Sequence, residues 1–266
     1  MCTLIAGIGV LGPGTLLVAA NRDEAPDRPS DAPAVLRERP RVVGGRDRVA
    51  GGTWLAVREG RFVTALMNRR ATAPSGEPPR APATPPRSRG LLCLDAAAAP
   101  PSIDAPETLD PGTGERYPAR RDAALRVIQR DAYGPCTLVG LGTSGEAWAI
   151  RVGDGGRPVA ADLAPGWHVV THVDPDDEGE PRTAWLLGEL RGYEPAGTDE
   201  ALDRLGALLR GHGDAGGAPP VCLHRARFPT VSSTLLSLGA AGPPRYLHAP
   251  GPPCVTTYAD CSDLLR

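Results

Sequence analysis

The sequence predicts an α+β fold, with antiparallel sheets and helices in separate layers. Two observations carry this. Strand-like apolar runs come in pairs joined by short turns, over 2–20, 52–68 and 136–152. The helical segments gather in the middle of the chain instead of alternating with strands, so a doubly wound βαβ sheet is not expected.

The elements follow in order. Residues 2–10 and 15–20 flank "LGPG", where Gly and Pro supply the turn of a first hairpin. "GTWLAV" and "RFVTALMN" flank "REG", with apolar positions at Trp54, Ala56, Phe62, Ala65 and Met67, and form a second. Residues 74–87 hold six prolines in "PSGEPPRAPATPPR" and are expected to form a surface loop or lid, because proline cannot donate to a ladder. "SRGLLCLDAAAA" reads as a helix capped by Ser88, and "PARRDAALRVIQR" as an amphipathic helix over 118–130. "CTLVGLG" and "EAWAIRV" make a third hairpin, and "WHVVTHV" another strand. "EPRTAWLLGELRGY" opens a helix at Glu180 and Pro181; "TDEALDRLGALLRG" is a helix with Thr198 as cap and Gly211 as stop. "PVCLHRA", "SSTLLSLG", "RYLHA" and "CVTTYAD" read as short closing strands. No internal repeat is visible, and residues 1–266 are expected to form one domain.

Composition narrows the function. Apolar residues make up 41% of 266, enough for a substantial core, and the net charge is −2, which gives no reason to expect nucleic acid or an anionic membrane as partner. All 29 basic residues are arginine, consistent with a GC-rich genome; chemistry based on a lysine Schiff base is excluded. The uncharged first twenty residues lack a basic leader and are interrupted by "GPG", so a strand is preferred to a secretory signal and a cytoplasmic location is expected. No stretch is long and apolar enough to be read as a membrane span.

Several apparent motifs carry little. "GIGVLG" and "GLGTSG" both satisfy G-x-G-x-x-G, yet strand-like residues follow each where a nucleotide fingerprint needs a helix. The acidic "THVDPDDEGE" lacks the Gly and bidentate Glu spacing of a calcium loop. Six cysteines, at 2, 93, 136, 222, 254 and 261, form no C-x-x-C and no standard zinc spacing; the internal five are expected to be reduced small hydrophobes, with a 254–261 pair left open and no metal or cofactor expected.

Cys2 stands apart. Removal of Met1 gives one residue both a thiol and a free α-amine. Their ordinary pKa values, about 8.5 and about 7.7–8.0, are close enough for the amine to take the thiol proton. The first hairpin returns Asn21, Arg22 and Asp23 beside Cys2. Asp23 suits the α-ammonium, and Arg22 a carboxylate or oxyanion. Asn68, at a strand end, is a candidate oxyanion donor, and Arg69 and Arg70 beside it are candidates for an anionic substrate group.

"MCTL", "AANRDE" with a following "RP", "GGTWLAV", "TALMN", "SRG", "PRTAW" and "TVSSTLL" resemble the NRDE family, the proteins similar to transport and Golgi organisation protein 2. That family is similar to the N-terminal nucleophile hydrolases, especially the choloylglycine hydrolase and penicillin V acylase branch. The resemblance implies a four-layer αββα sandwich and cleavage of non-peptide C–N amide bonds through a cysteinyl thioester. Cys2 would be the nucleophile, Asp23 the partner of its amine and Asn68 the oxyanion asparagine. Asn21, which the hairpin returns to Cys2, Arg69 and Arg225 are the further candidates for substrate binding. There are departures: Ala20 stands where the acylases carry an arginine, their second asparagine falls at His172, and their late arginine has only Arg225 or Arg227 as counterparts. Eukaryotic relatives are linked to haem trafficking and to acyl-CoA or lipid handling, so a non-enzymatic binder of haem or an acyl thioester, ligated by Cys2 or His172, is the alternative expectation to a small-molecule amide hydrolase.

Overall fold

The computed structural model describes residues 2–69, 86–100, 107–109, 116–118, 120–153, 157–214 and 216–266. The strands are β1 (Thr3–Ile8), β2 (Thr15–Asp23), β3 (Ser30–Glu38), β4 (Arg41–Asp47), β5 (Leu55–Arg58), β6 (Phe62–Asn68), β7 (Glu107–Leu109), β8 (Arg116–Pro118), β9 (Cys136–Gly142), β10 (Ala147–Val152), β11 (Val159–Asp162), β12 (Gly166–Val170), β13 (Thr230–Gly239), β14 (Arg245–Ala249) and β15 (Ala259–Asp260). The helices are α1 (Arg89–Ala98), α2 (Arg121–Ile128), α3 (Pro181–Leu190) and α4 (Thr198–Leu209).

Two antiparallel sheets carry the fold. One has the order β12-β1-β2-β13-β14-β15, the other β11-β10-β9-β6-β5-β4-β3. Side-chain alternation sorts the core into layers. Leu4, Ala6, Leu16, Val18 and Leu236 of the first sheet meet Val43, Val57, Val63, Met67 and Val139 of the second, so the two sheets pack face to face. On the far side of the first sheet, Ile5, Leu17 and Ala19 lie under Leu186 of α3 and Leu205 and Leu209 of α4. On the far side of the second, Leu66, Leu138 and Trp148 lie under Leu92 of α1 and Val127 of α2. The result is the four-layer αββα sandwich. It also explains why β1 and β2 read as unbroken apolar runs: both their faces are buried. Each buried Leu or Ile in these layers contributes about 1.5–3 kcal/mol.

Local departures from expectation have physical causes. The β3–β4 hairpin was not anticipated, because Pro29, Pro33 and Pro40 interrupt an exposed, charged segment. β3 is an edge strand, where proline is tolerated. "PVCLHRA" forms turns instead of a strand, and of "CVTTYAD" only Ala259–Asp260 is strand. Gly197, not Thr198, caps α4, and Ser88 occupies the N-cap of α1 without a side-chain hydrogen bond; Glu180 does cap α3, accepting from Thr183 N. The described cysteines are all free, and Cys254 lies beside Cys222, not Cys261. Of the 74–87 segment, only Pro86 and Arg87 fall within the described residues.

Gly52 meets the start of α1 so closely that a Cβ there would collide with the Gly90 carbonyl carbon and the Leu91 nitrogen. Gly52→Ala is therefore expected to cost about 1–3 kcal/mol in urea denaturation by overpacking. His248 is buried, with Nδ1 3.3 Å from Thr234 Oγ1, and burial lowers its pKa to about 4. The unfolded chain protonates this imidazole first, so stability falls as pH drops from 6.5 towards 4, by about 3 kcal/mol. His248→Gln is expected to flatten that part of the stability–pH curve.

Candidate functional site

The β1–β2 register pairs Thr3 with Asn21, and β2 pairs with β13 at Arg22↔Ser232 and Asn21↔Ser233. Continued by one residue, the register sets Cys2 across from Arg22. Cys2, Arg22 and Ser232 thus form a row on the face turned towards the second sheet, while Asn21 and Asp23 point to the helix side. Ser232 Oγ is buried and has no hydrogen-bond partner among the described residues.

Cys2 and Arg22 line a pocket of about 600 Å³ between the ends of the two sheets. The second sheet and its connections contribute Asp47, Thr53, Trp54, Leu66 and Asn68. The start of α1 adds Ser88, Arg89 and Gly90, and Phe228 stands at the rim, 46% exposed. Phe228 holds φ +58, a strained backbone for a bulky residue.

The polar frame of this pocket is tightly paired. The Arg22 guanidinium lies 4.3 Å over the Trp54 ring, donates to Ser30 Oγ at 3.2 Å and stands 3.8 Å from Asp47. Asp47 accepts from Arg28 Nε at 2.7 Å and from the backbone of Val49 and Ala50. Burial opposes ionisation of Asp47, but these donors hold its pKa below the ordinary value.

Asp23 lies just beneath Cys2. Its carbonyl oxygen is 3.8 Å from Cys2 Sγ. Its carboxylate accepts from Thr230 Oγ1 at 2.7 Å and lies 3.9 Å from Arg182 Nη1, which also donates to Thr3 Oγ1 at 2.9 Å. Burial raises the Asp23 pKa in spite of these partners. Burial also raises that of the Cys2 thiol, and the neighbouring Asp23 charge adds to the rise.

Not every candidate residue comes to the pocket. Asn21 donates to the carbonyls of Leu209 and Val221, tying β2 to the end of α4. Arg69 pairs with Asp174 at 2.9 Å and lies outside the pocket lining; Arg70 is outside the described residues. Arg225 and Arg227 are exposed in the segment before β13. His172 lies beyond β12, and none of the described histidines lines the pocket. Thr230, Arg182, Ser232 and Asp47 went unassigned in the sequence, although "PRTAW" and "TVSSTLL" contain Thr230, Arg182 and Ser232; the β13 register brings Thr230 and Ser232 to Asp23 and Arg22, while α3 brings Arg182 to Asp23 and β4 brings Asp47 to Arg22.

Residues 1–117 match the Transport and Golgi organisation 2 family. The resemblance read from "MCTL" and "NRDE" is therefore shown for the part of the chain that carries the row's first two members. A comparison with curated protein sequences gives no match. Solved structures do. A Caenorhabditis elegans ortholog of N-acylethanolamine-hydrolyzing acid amidase is similar at TM-score 0.54 and 14% identity, covering 88% of this chain and 92% of that one. Penicillin V acylase from Agrobacterium tumefaciens is similar at 0.56 and 12%, covering 99% and 88%. The C2A mutant of conjugated bile acid hydrolase from Clostridium perfringens is similar at 0.51 and 11%, covering 99% and 93%. At these identities the likeness is one of fold: this chain shares the sandwich of the N-terminal nucleophile hydrolases.

The Thr230 hydroxyl donates to Asp23 and accepts from Leu223 N at 2.9 Å, in a fully buried setting. Thr230→Val keeps the shape and strips both bonds. Urea denaturation is expected to show a loss of about 2–4 kcal/mol, with Thr230→Ser near wild type; a loss below about 0.5 kcal/mol would show that the brace is dispensable.

Proposed function

We propose that this protein is a cysteine amidohydrolase of the N-terminal nucleophile type, acting on a small-molecule, non-peptide amide after removal of Met1. The observation that carries the reading is the seat of Cys2: a sulfur on the floor of a pocket, with a buried carboxylate under it and Asn68 among the residues lining the same space.

The chemistry follows from that seat. While Met1 is attached, the nitrogen of Cys2 is an amide and cannot act as a base, and the thiol stands above its ordinary pKa. Trimming creates an α-amine. The amine takes the thiol proton, and Asp23 favours the ammonium that results. The thiolate attacks the amide carbonyl carbon, forming a C–S bond. Asn68 Nδ2–H donates to the developing oxyanion. As the C–N bond breaks, the ammonium returns its proton to the leaving amine. Water then attacks the thioester, releasing a carboxylic acid and restoring the thiol.

The pocket walls suggest the class of substrate. Trp54, Leu66 and Phe228 offer apolar surface, and Arg22, Arg28, Arg87 and Arg89 outnumber Glu24 and Asp47 around it. An amide with an apolar body and an acidic group suits this lining. The similar structures are named as an N-acylethanolamine-hydrolyzing acid amidase, a penicillin V acylase and a conjugated bile acid hydrolase, which supports this choice of bond. The haem alternative has less support here, since no described histidine reaches the pocket.

A panel of N-acyl amides and β-lactams, followed by peptide mapping, tests the proposal. The expected result is an acyl group on Cys2 and turnover abolished in Cys2→Ala. Asn68→Ala is expected to lower kcat by about 10²–10³-fold. Turnover that survives Cys2→Ala, or an adduct only on another cysteine, would overturn it.

A further inference from the structure

Away from the pocket, four potential metal ligands converge. His212 lies just beyond α4, Cys222 and His224 sit in the turn-rich segment before β13, and Cys254 comes from the loop between β14 and β15. Their ligating atoms all lie within 4.8 Å of one another. Cys222 Sγ is 3.5 Å from Cys254 Sγ and 3.9 Å from His224 Nε2, and His224 Nε2 is 3.2 Å from Cys254 Sγ. The two imidazoles meet edge to face, centroids 4.9 Å apart.

We propose that His212, Cys222, His224 and Cys254 form a structural site for one zinc ion. A tetrahedral centre with Zn–S bonds of about 2.3 Å sets its sulfurs about 3.8 Å apart and its S···N pairs slightly closer. The three spacings among Cys222, His224 and Cys254 are within about half an ångström of that, and the His212 ring nitrogen lies within 4.8 Å of all three. The donor set, two thiolates and two imidazoles, is the one zinc takes in closed four-coordinate sites. Binding releases one proton from each thiol, and the two thiolate charges balance the divalent cation, so the half-buried site carries no net charge. Cys222 is buried, Cys254 half-buried and both histidines exposed, which leaves a route for the ion. The His212-x9-Cys222-x-His224-x29-Cys254 spacing is no standard zinc pattern, so only the fold reveals it.

The location gives the ion a task. Asn21 of β2 holds the carbonyl of Val221, next to Cys222. Leu223, between the two central ligands, donates to Thr230 Oγ1, which donates to Asp23. Beyond His224 the chain carries Phe228 to the pocket rim, and Pro229 O accepts from Glu24 N. A zinc clasp at 222–224 and 254 fixes the segment that supports Asp23 from below and walls the pocket from the side.

Metal analysis of the full-length chain, purified under reducing conditions, stripped with a chelator and reloaded with zinc, tests the site. One zinc per chain is expected, with a Tm raised by several degrees over the stripped protein. Cobalt(II) is expected to give tetrahedral visible bands with thiolate charge transfer, weakened in Cys254→Ser and His212→Ala. Zinc is also expected to shield Cys222 and Cys254 from iodoacetamide while Cys261 still reacts. The wild-type stripping and alkylation readings stand even where a variant folds poorly. Zinc uptake no greater than in a Cys222→Ser/Cys254→Ser chain would overturn the proposal. So would an octahedral cobalt spectrum, or a Cys222–Cys254 disulfide in place of bound metal.

Discussion

One buried carboxylate organises the end of the sandwich where the pocket opens. Asp23 has a fully buried side chain, and a charge so placed is costly unless donors surround it. Its neighbours come from distant stretches: Thr230 at the start of β13 and Arg182 in the first turn of α3. Arg182 also grips Thr3, so the same cation fastens the first residue of β1. Three strands and one helix thereby meet at a single oxygen pair, and the meeting point is adjacent to Cys2. Chain termini ordinarily fray; here the start of β1 is tied to the core through Thr3, Arg182 and Asp23.

The two faces of β2 divide the labour. The helix-side residues, Asn21 and Asp23, build support: one holds carbonyls at the end of α4 and beside Cys222, the other holds the β13 and α3 donors. The inner face presents Arg22 next to the Cys2 position, its guanidinium flattened on Trp54 and steadied by Ser30 and Asp47. Period-two alternation alone separates a structural side from a pocket side within the tetrapeptide "NRDE". The same alternation puts Ser232, whose buried Oγ has no hydrogen-bond partner among the described residues, in the row with Cys2 and Arg22.

What the sequence conveyed was local. The hairpins β1–β2, β5–β6 and β9–β10 were legible because turn residues interrupt strand-length apolar runs, and the first of them correctly returned Asn21–Asp23 to Cys2. The β3–β4 hairpin was illegible because an exposed edge strand need not be apolar and tolerates proline. The partners of Asp23 lie 159 and 207 positions away along the chain (182 − 23 and 230 − 23), and no periodicity reports a pairing at such range. Cys222 and Cys254 read as unremarkable small hydrophobes for the same reason. His172 and Arg225, assigned by resemblance to family positions, do not line the pocket. Arg22, stacked on Trp54, and Arg182, beside Asp23, take these places only once the sheets and α3 are packed together.

The account rests on Cys2 changing character when its own amine is freed. Intact-mass measurement of the chain from cells with normal methionine aminopeptidase, combined with site-resolved iodoacetamide labelling near neutral pH, tests this directly. The account predicts a chain lacking Met1 in which Cys2 is alkylated much faster than the similarly half-buried Cys254 and Cys261. A chain that keeps Met1, or a Cys2 that reacts no faster than those two, would contradict it.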